Sequence, residues 1–273
     1  MSKVCIDAGH YGSKYNHSPV VDGYYESDRM WVLADLLAAT LKKRGVTVVM
    51  TRTNKASDLA LTSRGKKAKG CDLFISLHSN AASTESVDYP VAYVFRDDKK
   101  TDLDERSEEI GLKLAKIVQT LMNTRQAART ATRGSSNDRD GNGVKDDEYY
   151  GVLHGAKTVK VPGVILEHSF HTNTAATKWL MSDANLAKLA EAEAECIVDW
   201  LGVKQPVAST GSAVNYRVRV TIKDLHIRSG PGTSYASKGY IKPGVYTIIQ
   251  EDGIWLKLKS GAGWVSSKFV TRI

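Results

Sequence analysis

Asp72-Leu73-Phe74-Ile75-Ser76-Leu77-His78-Ser79-Asn80-Ala81 decides the architecture. Residues 73–77 form an apolar run broken only by Ser76 and closed by polar residues. A strand with one wet face alternates apolar and polar side chains. A run without that alternation belongs to a strand covered on both faces, as in a parallel sheet flanked by helices. His78 stands immediately after the run, and open α/β sheets gather their ligands at the carboxyl ends of parallel strands. Residues 4–6 and 164–166 repeat the pattern; His10 follows the first within a few residues and Glu167 follows the second directly.

Helical periodicity fills the intervals. Ser27 is placed to cap a helix through Arg44, whose apolar set Met30, Leu33, Ala34, Leu37 and Leu41 keeps the i, i+3, i+4, i+7 spacing until Gly45 stops it. Residues 46–50 read as a strand, 61–69 as a short basic helix, 91–95 as a strand and 105–122 as a helix. Residues 150–153 read as a short strand and 185–201 as a closing helix. This alternation predicts an α/β fold, a mostly parallel sheet with helices on both faces.

The stretch 203–215 is small, polar and punctuated by Pro206 and Gly211, which marks a linker between a first domain, residues 1–202, and a second, residues 216–273. In the second, short extended runs alternate with turns such as Ser229-Gly230-Pro231-Gly232 and Lys242-Pro243-Gly244. Turns every eight to twelve residues predict a small all-β barrel, with Trp255 and Trp264 in its core and Tyr235 and Tyr240 in core or groove.

The 273 residues suffice for about two domains at ~150 residues each. No run approaches the ~20 apolar residues of a membrane span. Met1-Ser2-Lys3-Val4-Cys5-Ile6 enters a strand at once, without the apolar segment of a secretory signal, so the expectation is synthesis in the cytoplasm. Cys5, Cys71 and Cys196 cannot all pair and read as buried reduced thiols.

His10, Glu26, His78 and Glu167 lie far apart in the chain, yet three of them end strand-like runs. Two imidazoles and a carboxylate make a catalytic zinc set that leaves a coordination position for water. This is not the local His-Glu-x-x-His helix, so the ligands must converge from separate elements. Read singly, His10 is a turn residue, His78 a satisfied buried histidine and Glu167 a structural carboxylate paired with an arginine.

Six segments taken in order change that reading. Ile6-Asp7-Ala8-Gly9-His10, Glu26 opening a helix, Thr51-Arg52-Thr53, Leu61-Thr62-Ser63-Arg64, the 72–81 stretch and Val161-Pro162-Gly163-Val164-Ile165-Leu166-Glu167 resemble the zinc-dependent N-acetylmuramoyl-L-alanine amidases of bacterial peptidoglycan. The resemblance covers the first ~200 residues. It implies one zinc ion held by His10, Glu26 and His78, with Glu167 as the catalytic base that activates water. It implies cleavage of the amide between N-acetylmuramic acid and L-alanine. A zinc peptidase cutting within the stem peptide and a non-catalytic wall-binding protein are the alternatives. The last ~58 residues, through Leu225-His226-Ile227-Arg228-Ser229-Gly230-Pro231-Gly232, Gly253-Ile254-Trp255-Leu256 and Gly263-Trp264-Val265, resemble a bacterial Src-homology-3-like wall-binding domain. Together they have the layout of a phage endolysin or autolysin, which implies action on the cell wall after release through a holin.

Charge agrees with a tethering role. Of the net +8, residues 216–273 hold ten Lys+Arg against three Asp+Glu, whereas the first 215 are nearly balanced at +1. The partner expected for this basic unit is an anionic wall polymer or the stem peptide; a solvated basic surface is the plain alternative. Nothing beyond charge points to nucleic acid, since no base-reading motif is present.

Other residues deserve a reading of their own. Asp138, Asp140, Asn142 and Asp146 stand at positions 1, 3, 5 and 9 of a calcium loop, but position 12 is Tyr149 and Glu148 misses by one, so Ca²⁺ binding there competes with an acidic turn. Arg125, Arg129 and Arg133, four residues apart, read as a solvated helix face, or one of them holds a stem-peptide carboxylate. His168 is expected on the face opposite Glu167 and His171 on the cleft face; His154 is a further cleft candidate, and His17 and His226 are surface residues. Relatives favour Gly and an apolar residue around Ser169 and His171.

Overall fold

The computed structural model describes residues 2–96, 100–136, 148–203, 212–233, 235 and 237–273. The chain divides into two compact units, Met1–Lys204 and Gln205–Ile273.

The first unit runs β1 (Lys3–Ala8), α1 (Glu26–Lys43), β2 (Thr47–Met50), α2 (Leu61–Lys66), β3 (Leu73–Asn80), β4 (Val91–Tyr93), α3 (Asp102–Met122), β5 (Arg129–Ala131), α4 (Gly151–Thr158), β6 (Gly163–Phe170), α5 (Thr174–Leu180) and α6 (Asp183–Trp200). Its sheet has the order β2-β1-β3-β6-β4-β5. Every neighbouring pair is parallel except β4 with β6.

Strand alternation sorts the side chains between two cores. Val4, Ile6, Leu73, Ile75, Leu77, Val164 and Leu166 face α1, α3 and α6 in the larger cluster. Cys5, Phe74 and Ile165 face the other way, into a smaller cluster with Val152, Leu153 and Ala156 of α4. The period of two continues past these residues, so Asp7, Ser76, His78 and Glu167 belong to the thinly covered face. Met30, Leu33, Leu37 and Leu41 of α1 are fully buried, each stabilising by about 1.5–3 kcal/mol on burial.

Several elements differ from the sequence reading. Strands β3 and β6 continue beyond their apolar runs, so His78 and Glu167 lie within strands rather than after them. Residues 150–153 enter helix α4 instead of a strand. Ser27 does not cap α1: Tyr25 holds the cap position, and Ser27 is buried, its Oγ accepting from the Tyr15 N–H at 3.0 Å. The three arginines share no helix, because Arg129 opens the short strand β5.

The second unit contains β7 (Ser212–Val220), β8 (His226–Arg228), β9 (Ser237–Tyr240), β10 (Gly244–Asp252), β11 (Trp255–Leu258), β12 (Trp264–Ser266) and β13 (Val270–Arg272). They pair in the order β13-β7-β10-β11-β12-β8-β9, antiparallel throughout. Closure into a barrel is not among the pairings of the described residues. Strand β7 begins inside the stretch whose composition marks a linker; residues 204–211 of that stretch lie outside the described residues. Val218, Ile248, Leu256 and Val265 anchor the core. Trp264 is buried, but Trp255 is only half-buried and borders a groove with Ile254 and Phe269.

Candidate active site

The turn after β1 is built around a close approach. A Cβ on Gly9 would fall 2.5 Å from Cε1 of His78, so only glycine lets the two ligand-bearing segments touch. His10 follows in the left-handed region, φ 58°. Two buried arginines hold this turn by its carbonyls: Arg64 Nη1 donates to His10 O at 2.9 Å and Arg52 Nη2 to Ala8 O at 2.7 Å. Arg64 is balanced by Asp58 at 3.0 Å and Asp7 at 3.7 Å.

Glu26 is the first residue of α1, and the residue is 1 % exposed. Its Oε1 lies 2.9 Å from His78 Nδ1, and its Oε2 lies 3.1 Å from His10 Nε2. The Ser79 N–H donates to Oε1 at 3.0 Å and Asn16 Nδ2 to Oε2 at 3.0 Å. Burial pushes this carboxyl up, but hydrogen bonds and charge from His10 and His78 outweigh it and hold Glu26 well below the usual carboxylate range. The structure therefore brings the three sequence-predicted ligands together, with one donor atom of each within 4.8 Å of the others. Two imidazole nitrogens and a carboxylate oxygen fit a catalytic zinc site in donor type and number.

A second layer orients His78. Its Nε2 lies 3.1 Å from Ser76 Oγ, which donates to Asp7 Oδ2 at 2.7 Å; the Thr51 hydroxyl donates to Asp7 Oδ1. An outer carboxylate acting through a hydroxyl fixes which ring nitrogen faces the centre. Asp7, Thr51, Arg52 and Arg64 sit in segments already singled out by resemblance, but their roles are tertiary contacts that spacing does not disclose.

Glu167 pairs in register with His78 across the β3–β6 ladder. Its Oε2 is buried without a hydrogen-bond partner. Among the described residues no arginine pairs with it. Burial, with the Glu26 charge adding to it, raises its carboxyl well above the ordinary value. All four predicted residues border one cleft of about 910 Å³.

The other histidines separate. His171 borders the cleft, with Nδ1 2.9 Å from Ser79 O and 3.9 Å from Glu26 Oε2; burial lowers its pKa. His168 lies on the opposite face, fully buried, with Nε2 2.8 Å from Glu193 Oε1 of α6. His154, on α4, is not among the residues bordering the cleft, whereas His17, exposed as its reading as a surface residue expects, stands on the border. Ser169 occupies the left-handed region at φ 59°, its Oγ donating to Asp88 Oδ1 at 2.7 Å.

The calcium reading gains no support. Asp138, Asp140, Asn142 and Asp146 lie outside the described residues. Glu148 is buried and spends both oxygens on the chain, accepting from Arg96 N at 3.0 Å and Tyr150 N at 2.9 Å.

A cleft at the carboxyl edge of an open sheet, with two imidazoles and two carboxylates converging from four elements, is the layout of a hydrolase. Residues 4–199 match the Amidase_3 family, described as N-acetylmuramoyl-L-alanine amidase, and the chain belongs to that family. The chain is 41 % identical over 88 residues to the protein named "Putative N-acetylmuramoyl-L-alanine amidase YrvJ" of Bacillus subtilis (strain 168); the match spans 31 % of this chain and 17 % of that protein. The fold is similar to the catalytic domain of the amidase CwlV from Bacillus (Paenibacillus) polymyxa var. colistinus, with TM-score 0.56 and 20 % identity over 75 % of this chain and all of that one. It is similar also to Cwp6 from Clostridium difficile, with TM-score 0.60 and 24 % identity over 73 % of this chain and 29 % of that one.

Proposed function

We propose that this protein hydrolyses the amide between the lactyl group of N-acetylmuramic acid and L-alanine in peptidoglycan, with zinc held by His10, Glu26 and His78. The observation that carries the reading is Glu167: a buried carboxyl with an unpartnered oxygen, in register with His78 on the same cleft. An acid placed so is expensive to keep without a chemical role.

When bound, zinc supplies Lewis-acid activation of water and of the scissile carbonyl. Glu26, anionic and buried, provides the charge that retains the cation. Ser76 and Asp7 hold the His78 ring in one orientation. Glu167 takes a proton from the attacking water and delivers it to the departing amide nitrogen; its raised pKa suits both halves of that transfer. The proton gained in the first half is the one lost in the second, so the residue ends as it began.

The second unit acts as the wall anchor in this proposal, a Src-homology-3-like domain for an anionic wall polymer or the stem peptide. Its +7 charge supports attraction to such a surface, and tethering raises the effective concentration of substrate at the cleft.

Digestion of purified peptidoglycan followed by mass spectrometry tests the reading. The expected products are peptides with a free L-alanine amino terminus and glycan strands without peptide, lost with chelator and restored by Zn²⁺. New ends within the stem peptide would assign a peptidase to the same site. Wall binding without any new ends would leave only a binding protein.

A further inference from the structure

The cleft carries a feature that hydrolysis of an amide does not require. One border is aromatic and cationic. The Tyr150 ring lies 5.0 Å from Tyr93 and 5.2 Å from Tyr149, and the Arg133 guanidinium sits 3.8 Å over the Tyr149 ring. Arg133, Tyr149 and Tyr150 all border the cleft together with Glu167.

The backbone fixes this border. The Tyr149 N–H donates to Arg133 O at 3.1 Å, and Gly134 bridges Glu148. Glu148, buried, accepts from the Tyr150 N–H. The guanidinium is thus presented from a paired segment, braced on an aromatic face, rather than from a free loop.

The other arginine that borders the cleft among the described residues, Arg64, is buried and balanced by Asp7 and Asp58. Arg133 is exposed, and among the described residues no carboxylate pairs with it. A planar guanidinium held at a cleft border matches a carboxylate through two parallel N–H···O bonds, a geometry lysine cannot reproduce.

We infer that Arg133 is a specificity residue that binds a free carboxylate on the peptide side of the scissile amide. The inference rests on the proposed amidase reading and names what that site selects: a stem peptide whose residue after L-alanine carries an ionised carboxyl, in preference to one in which that group is amidated. The sugar side offers the cleft neutral hydroxyl and acetamido groups, so a cation there serves the peptide.

The test uses the full chain and two soluble muramyl peptides, one with the second residue's carboxyl free and one with it amidated, the peptide carboxyl terminus being amidated in both. The wild type is expected to cleave both after the lactyl group, with a KM about tenfold lower for the free acid, as fits one charge-assisted contact. Arg133→Gln should raise KM about tenfold for the free acid alone, with kcat within about twofold and zinc content and melting temperature unchanged. Arg133→Lys should keep part of the preference. Equal KM values for the two peptides in the wild type, or an equal loss on both in Arg133→Gln, would overturn the inference while leaving the amidase reading intact. Failure of the wild type to cleave either peptide at that bond would remove the amidase reading and this inference with it.

Discussion

Glu167 concentrates the conflict between stability and function. In the unfolded chain its carboxyl ionises near ~4.3. In the folded protein burial and Glu26 keep the proton on to higher pH. The folded state therefore binds more protons across that window, and this residue lowers stability as pH rises through it. Glu167→Gln is expected to stabilise the metal-free protein at neutral pH by about 1–3 kcal/mol, the scale of an unsatisfied buried polar group. The gain should shrink toward pH 4 in urea titrations, and kcat should fall by about 10²–10⁴. A variant that is less stable at neutral pH would contradict the upward push of burial on the Glu167 carboxyl. Ser76 allows a second prediction: Ser76→Ala should weaken zinc binding about 10–100-fold in chelator competition, because it removes the support of the His78 ring. Unchanged affinity would make the Asp7–Ser76 pair purely structural. That His10, Glu26, His78 and Glu167 meet at one cleft was legible because each sits in a recognisable short segment. Asn16, Ser76 and the arginine grip on the His10 turn were not, because their partners lie across the fold.

At the scale of elements, α2 and α4 form the thin cover of the face that bears the cleft, and they meet through glycine. A Cβ on Gly155 would lie 2.2 Å from Thr62 O, and one on Gly65 2.0 Å from Val152 O. Gly155→Ala forces the helices apart and is expected to cost about 1–3 kcal/mol in urea unfolding. It should also lower activity, since α2 carries the Arg64 that grips His10. A variant as stable as the wild type would show that the helices separate freely. The parallel strands were readable because apolar runs without alternation mark doubly covered strands. The same rule misled at residues 150–153, where a four-residue apolar run suits either a strand or the start of α4, and only the packing of Val152 and Leu153 against the sheet decides. Strand β5 escaped because it is three residues long with an arginine at its start, paired only with the equally short β4.

The molecule as a whole is two units with separate cores and unlike charge. A chain ending at Val203 should cleave soluble muramyl peptides at the wild-type rate and lose about 10²-fold or more on intact walls at low salt, the gain expected from a tether. Salt should narrow the difference, because exposed charges are screened within ~10 Å at 0.1 M. Equal loss on soluble peptides would mean that the second unit completes the catalytic one instead of anchoring it. The all-β character of the second unit was visible in its turn spacing. Its strand pairing was not, because β8 and β9 join the sheet beyond β12 rather than in chain order.

All of these expectations depend on one ion at one place. An anomalous difference map at the zinc edge, from crystals of protein purified without chelators, measures it directly. The account predicts a single strong peak per chain, bonded to His10, Glu26 and His78 with Glu167 facing it. A map with no peak there, or with its only peak elsewhere, would contradict it.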